Sequence, residues 1–270
     1  MNKPEYIVDK GKCIKCGNCQ YICSGLCAKI NEEGYPYIDE VLDHFCFSCG
    51  QCVSVCPTGA LRHTNVDLDQ CEVILPPGSE PSDQIEHLIK TRRSIRNFKD
   101  EPVSREGLEE LLDVVRYAPT GGNAQGVKFI VMDKRETLHK VFQLTSDYLT
   151  DFVSRPENAW LLLPADAGKT ENDWVFWNAP MVIIATADNP TDLSIALAYL
   201  DLYAQAKGLG CCWCGYLKFA MDGGQPELME MFQKAGLDEC YYPMMIGVPE
   251  ERIKYYRIPQ RKQAEINYIE

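Results

Sequence analysis

The chain has 270 residues, enough for one large domain and a small one, and 46% of them are hydrophobic, which supplies a core and excludes a disordered chain. Its net charge of −12 excludes a broadly basic surface that neutralises phosphates, so neither nucleic acid nor a polybasic membrane anchor is expected as partner. Met1 to Lys12 holds no apolar signal core, and the longest apolar run, Ala179 to Ala187, falls far short of the roughly 20 residues that span a bilayer, so a soluble, cytoplasmic protein is expected.

Fourteen cysteines in such a chain read as metal ligands and reduced thiols rather than disulfides. Nine lie between Cys13 and Cys56, inside a duplication. "CIKCGNCQYICSGLCAKI" and "CFSCGQCVSVCPTGALRH" share C-x-x-C-G-x-C-x-x-x-C and start 33 residues apart. Two units are too few for a solenoid, so a small pseudo-symmetric domain over 1–65 is predicted. In each unit three thiols, three residues apart, occupy a tight loop, and the fourth cysteine is predicted to start a helix and point away. Cys27 aligns with Ala60 and reads as a small buried position. His44 reads as exposed. Residues 63 to 83, with Pro-Pro-Gly and acids, read as a linker, the domain limit falling at 66–83; its apolar "CEVIL" is predicted to pack on the surface.

From 84 to 270 the pattern becomes that of an α+β domain. Ile85, Leu88 and Ile89 share one helical face, as do Leu108, Leu111, Leu112 and Val115, with Ser104 as N-cap. "VKFIVMD", "PMVIIATAD" and "YYPMMIGV" read as buried strands, and "SIALAYLDLYAQAKGLG" as a helix ending in glycines. Residues 148 to 178 read as the least regular part, with Trp160, Trp174, Phe176 and Trp177 fitting either a lid or a core. After the long helix, "GLGCCWCGYL" carries Cys211, Cys212 and Cys214. A redox pair of Cys211 and Cys214, a zinc site drawing on Cys240, and plain packing are the three readings of these thiols. Packing is favoured, because a reactive pair belongs at a helix N-terminus and this stretch follows a helix C-terminus.

The duplicated spacing resembles that of bacterial two-cluster ferredoxins. The resemblance implies that Cys13, Cys16, Cys19 and Cys56 hold one [4Fe–4S] cluster, and Cys46, Cys49, Cys52 and Cys23 the second. Pro57 follows Cys56 as in that pattern, whereas Ser24 follows Cys23. Two structural zinc sites are the rival reading, although zinc modules pair their C-x-x-C motifs across longer intervals.

"TRRSIRNF" (91–98), "APTGGNAQ" (118–125) and "YYRIPQRKQ" (255–263) together resemble the nitroreductase family of FMN enzymes, over residues 84 to 270. The phosphate dianion of FMN wants fixed cationic donors, each worth about 1.5–3 kcal/mol. The resemblance implies that Arg92, Arg93, Ser94 and Arg96 serve the phosphate and ribityl chain, with Arg261 reaching in from the C-terminal segment. Arg257 and Lys262 suit either a ligand or a solvated role. Pro119, Thr120, Gly121, Asn123 and Gln125 match a loop that covers the flavin from the partner subunit of a homodimer. Trp213, Cys214 and Gly215 match the segment whose backbone N–H meets the flavin N5 edge.

The combination implies an FMN-dependent oxidoreductase. Single electrons from a reduced ferredoxin or similar donor pass through two [4Fe–4S] clusters to FMN and then to an electron-poor small molecule of nitroaromatic or quinone type. The flavin N5 carries the chemistry, and no catalytic side chain is expected. A non-enzymatic electron carrier or redox sensor for a protein partner is the alternative.

Overall fold

The sequence duplication is also a backbone duplication. In the computed structural model of the chain, which describes residues 3–76, 78–164, 167, 173–252 and 254–269, Gly17 and Gly50 both adopt φ 76°. Only glycine enters that left-handed turn without a Cβ penalty. Leu26 and Gly59 are likewise paired at φ 56° and 61°. The chain divides into two compact units, Met1–Ser79 with Thr120–Ala124, and Glu80–Pro119 with Gln125–Glu270.

In the first unit, β1 (Tyr6–Val8) pairs antiparallel with β4 (Leu61–His63), and β2 (Ala28–Ile30) with β3 (Pro36–Ile38). Each left-handed glycine launches a four-residue helix, α1 (Asn18–Tyr21) or α2 (Gln51–Ser54). This corrects the expected helix start: Cys19 and Cys52 lie inside the helices, while Cys23 and Cys56 follow the C-caps Ile22 and Val55. Cys27 and Ala60 are both buried, as their alignment requires, and His44 is exposed. The segment read as a linker starts later than its composition suggested, because His63 closes β4 and Asp67 caps a short 3-10 turn at Leu68–Gln70. Val73, Ile74 and Leu75 are exposed rather than packed, since they pair with none of the described strands.

The second unit is built on an antiparallel sheet of four strands in the order β5 (Lys128–Met132), β6 (Met181–Ala187), β8 (Cys240–Gly247), β7 (Gly210–Trp213). All seven residues of β6 are buried, because helices cover both faces. Met181, Ile183 and Ala185 pack with α4 (Arg105–Val115) and α6 (Pro190–Ala206). Val182 and Ile184 pack with α5 (Arg135–Ser154), α7 (Gly215–Asp222) and α8 (Pro226–Lys234). Ser104 caps α4 as expected, its Oγ accepting the Gly107 N–H at 3.0 Å; such a cap is worth about 1 kcal/mol.

Two expectations need correction, and β7 is a strand with no sequence signal, because four residues starting with glycine give no alternation to detect. Residues 148 to 154 are not irregular but the last turns of α5, where Tyr148 stacks on Phe152 one turn on, 6.4 Å between ring centroids. Of the rest of that stretch, Trp174 and Phe176 are core residues, Trp160 and Trp177 are exposed, and 165–166 and 168–172 lie outside the described residues. The apolar face of α3 (Ser82–Thr91) is amphipathic as read, yet the helix buries none of its residues and leaves Ile85 and Ile89 exposed.

Candidate functional site

Two cavities in the first unit are ringed by thiols. One is lined by Cys13, Cys16, Cys19 and Cys56, the other by Cys23, Cys46, Cys49 and Cys52 together with Cys27. Each motif therefore gives its first three cysteines to one cavity and its fourth to the other. The two crossing thiols share an environment. Burial pushes the Cys23 thiol up, but the backbone N–H groups of Ala28, Cys27 and Gly25 and the Cys27 side chain bring it below the ordinary cysteine value. Cys56 is lowered in the same way against its burial, by the N–H groups of Leu61, Thr58 and Ala60. Each is the residue 33 positions on from its counterpart, so the repeat builds the same thiolate-stabilising turn twice. Cys19 and Cys52 are raised, chiefly by burial. Among the described residues no three His, Cys, Asp or Glu side chains converge on one point as a single ion requires; the thiols stand around a space instead, which suits a multi-iron cluster.

In the same unit, Asn123 Nδ2 donates to Phe47 O at 3.1 Å and Ser48 O at 3.4 Å, on the loop between Cys46 and Cys49. Thr120, Gly121 and Asn123 thus belong with the cysteine loops, while Pro119 and Gln125 flank them in the second unit.

The second unit gathers Arg92, Ser94, Arg96, Trp213, Cys214 and Gly215 around β7. Ile95 N–H donates to Cys211 O at 2.9 Å, and Ser94 bridges Cys211, so the 94–96 segment runs beside that strand. Gly210 permits the approach: a Cβ there would meet Ile95 Cγ1 at 2.5 Å and Cβ at 2.8 Å. Gly210→Ala is expected to cost about 1–3 kcal/mol through overpacking, read as a lowered urea midpoint at unchanged slope. Ser94 is a hydrogen-bond partner of the Cys212 thiol, and the Arg96 charge acts on both Cys212 and Tyr216. Arg92 Nη1 lies 3.2 Å from Oδ2 of Asp201, a 5%-exposed carboxylate on α6 that also pairs with the Trp213 side chain. Burial pushes the Asp201 carboxyl up, and Arg92 opposes that shift. A cation poised beside an exposed face is thereby held by an anion beneath it.

Sequence reasoning passed over Asp201. Its signal was a lone acid on the buried side of an otherwise apolar helix. Arg93 turns away from Arg92, donating to Lys90 O and Arg92 O and stacking over Tyr255 at 5.9 Å. It lines a cavity of about 870 Å³ with Ile95, Asp201, Gln205, Cys211 and Arg257. Arg261 lies in the exposed C-terminal segment, outside the Arg92 cluster's described contacts.

The cysteines of β7 divide by strand alternation. Cys211 faces the α6 side of the sheet and Cys212 the α5 side, where Cys214 also packs. Cys211 and Cys214 therefore sit in different cores, and no pair can form without unravelling the strand. Packing is the right reading, but its reason changes: Cys214 does stand at a helix N-terminus, as N-cap of α7. Burial nonetheless pushes its thiol up to about 12, and that of Cys211 well above the ordinary value. The choice of backbone donor within the expected segment narrows. Cys214 N–H is occupied by Pro243 O at 2.8 Å, which leaves the first N–H of α7, that of Gly215. Nothing lies within 4 Å of where a Gly215 Cβ would stand, so the approach to that helix end is open.

Two cationic donors, a hydroxyl, and an open helix N-terminus of this kind fit a phosphorylated, anion-developing ligand such as FMN. Comparison with known proteins agrees. Residues 89–248 match the Nitroreductase family, and residues 12–60 match a 4Fe-4S dicluster domain. An FMN reductase [NAD(P)H] of Bacillus subtilis is 28% identical over 64% of this chain and 69% of its own length. A polyferredoxin of Methanothermobacter thermautotrophicus is 36% identical over 24% of this chain and 14% of its own length. An FMN-bound nitroreductase from Bacteroides fragilis shares the fold with a TM-score of 0.56, at 20% identity over 69% of this chain and 99% of that one. No helix among the described residues is long and apolar enough to cross a membrane.

Proposed function

The chain belongs to the nitroreductase family and is an FMN-dependent oxidoreductase with two [4Fe–4S] clusters, and from that premise we propose that it takes single electrons from a reduced ferredoxin-like donor and reduces an electron-poor small molecule of nitroaromatic or quinone type. When bound, the clusters carry one electron each, and FMN gathers single electrons and gives them up in pairs. Cys13, Cys16, Cys19 and Cys56 would hold one cluster, and Cys23, Cys46, Cys49 and Cys52 the other. Arg92, Ser94 and Arg96 would bind the FMN phosphate and ribityl chain, and Gly215 N–H would face the flavin ring. Asp201 orients Arg92. The buried thiols of Cys211, Cys212 and Cys214 pack the wall.

The observation that carries this reading is the pair of thiol-ringed cavities on the same chain as the flavin fold. A nicotinamide delivers two electrons to a flavin directly and needs no one-electron relay. We take the working form to be a homodimer. The unburied apolar face of α3 and the exposed C-terminal segment, with Tyr255, Tyr256 and Ile258, support that assembly.

The test is anaerobic reduction of the loaded protein by NADH, NADPH or reduced ferredoxin, each alone, with flavin and cluster bands followed separately by absorbance and EPR. Ferredoxin is expected to reduce the clusters first and the flavin after them, and the nicotinamides to leave the flavin oxidised. Rapid flavin reduction by NAD(P)H while the clusters lag would overturn the direction of flow. It would favour the donor named for the Bacillus subtilis relative.

A further inference from the structure

Three of the positions at which the two thiol-ringed cavities differ change the side-chain donors near the ligand thiols. At the repeat spacing, Cys27 corresponds to Ala60 and His63 to Ile30. The strand registers Tyr6↔His63 and Ile30↔Pro36 make Tyr6 the counterpart of Pro36. The cavity of Cys13, Cys16, Cys19 and Cys56 is lined by Ile30, Pro36 and Ala60, none of which has a polar side chain. The cavity of Cys23, Cys46, Cys49 and Cys52 is lined by Tyr6, Cys27 and His63, each of which carries a proton to donate.

The geometry of His63 fixes where its proton lies. The ring is 4% exposed, and its Nδ1 accepts the Asn65 N–H at 3.0 Å. The neutral ring then carries hydrogen on Nε2, which lies 3.3 Å from Cys46 Sγ and donates to it. The Tyr6 side chain lines the cavity with Cys52 and its hydroxyl interacts with that thiol, and the Tyr6 ring meets His63 edge-on at 5.8 Å. Cys27 Sγ lies 3.6 Å from Cys23 Sγ. The other cavity has one side-chain contact of this kind, Thr58 Oγ1 to Cys56 Sγ at 3.9 Å. Lys15 and Asn18 also line that cavity, and the exposed Lys15 ammonium stands 4.5 Å from the Tyr35 ring centroid, where water screens it.

A donor to a ligand thiolate stabilises the more negative, reduced cluster and so raises its potential. Backbone donors recur in both halves and cancel in the comparison; the side-chain donors do not. We propose that Tyr6, Cys27 and His63 make the cluster at Cys23, Cys46, Cys49 and Cys52 the higher-potential member of the pair, so that an electron entering this domain comes to rest there. One electron leaves the reduced cluster at Cys13, Cys16, Cys19 and Cys56, and the other cluster gains it, with no bond broken and no proton moved. The original reductant is the one-electron donor already named. The inference rests on both cavities holding [4Fe–4S] clusters.

The test is a mediated dithionite titration of the anaerobic holoprotein, with each cluster followed by EPR after iron content has been measured. The wild type is expected to show two midpoints separated by at least a tenfold partition of the electron, about 59 mV for one electron. Tyr6→Phe removes only a hydroxyl, and His63→Ile installs the residue of the opposite half. Each is expected to shift the partition several-fold by lowering the higher midpoint, with the lower one unmoved. A single shared midpoint in the wild type overturns the inference. So do variants that move the lower midpoint or neither. Iron well below two clusters per chain sinks the underlying cluster reading instead, and the dithionite titration does not depend on which physiological donor is correct.

Discussion

Replacing Arg92 with alanine is expected to weaken FMN binding about ten- to a hundredfold, the loss of one charge-assisted hydrogen bond worth about 1.5–3 kcal/mol, while iron content stays unchanged. The measurement is FMN dissociation by fluorescence on the apoprotein, beside an iron assay of the same sample. The variant has a second consequence. It leaves the buried Asp201 carboxylate without its cation, and an unpaired buried acceptor costs about 1–3 kcal/mol. The double variant Arg92→Ala with Asp201→Asn separates the two effects: it is expected to recover most of the stability and none of the flavin affinity. Recovery of affinity in the double variant would mean that Arg92 serves the fold and not the ligand.

The second large effect concerns ligands that cross between motifs. Cys56→Ala is expected to remove about half of the iron, and the cluster lost should be that of Cys13, Cys16 and Cys19, although Cys56 belongs to the other motif in sequence. The environments of the two crossing cysteines make the outcome asymmetric. Behind Cys56 stands Ala60, which offers no replacement thiol. Behind Cys23 stands Cys27, 3.6 Å away, so Cys23→Ala is expected to keep a larger share of its iron than Cys56→Ala. Iron quantification with EPR of each variant decides it; equal losses would show that Cys27 does not replace Cys23 as a ligand.

Much of this was legible in the sequence because its physics is local. The thiol spacing and the left-handed glycines lie within one repeat, and the periodicities behind α4, β5, β6 and β8 lie within one element. What escaped reading depends on contacts between distant segments. β7 is a strand because β8 pairs with it, not because "GCCW" favours one. Asp201 matters because residue 92 arrives beside it from another element. His63 looked like part of a linker, and its meaning came only from the pairing with Tyr6 and the turn at Asn65. Cys214 shows the converse. Its sequence context placed it correctly near a helix boundary but at the wrong helix, since α7 begins where α6 had already ended.

The sealing of the β7 thiols also sets an order of failure under oxidants. Cys211, Cys212 and Cys214 are 2%, 2% and 1% exposed, whereas Cys16, Cys49 and Cys71 are open to solvent. Oxidation follows access and thiolate character, so damage begins in the first unit and destroys the capacity to receive electrons before it touches the flavin fold. An air-exposed preparation would therefore keep its yellow colour long after it had gone silent to its donor, and colour is a poor guide to whether the protein is intact.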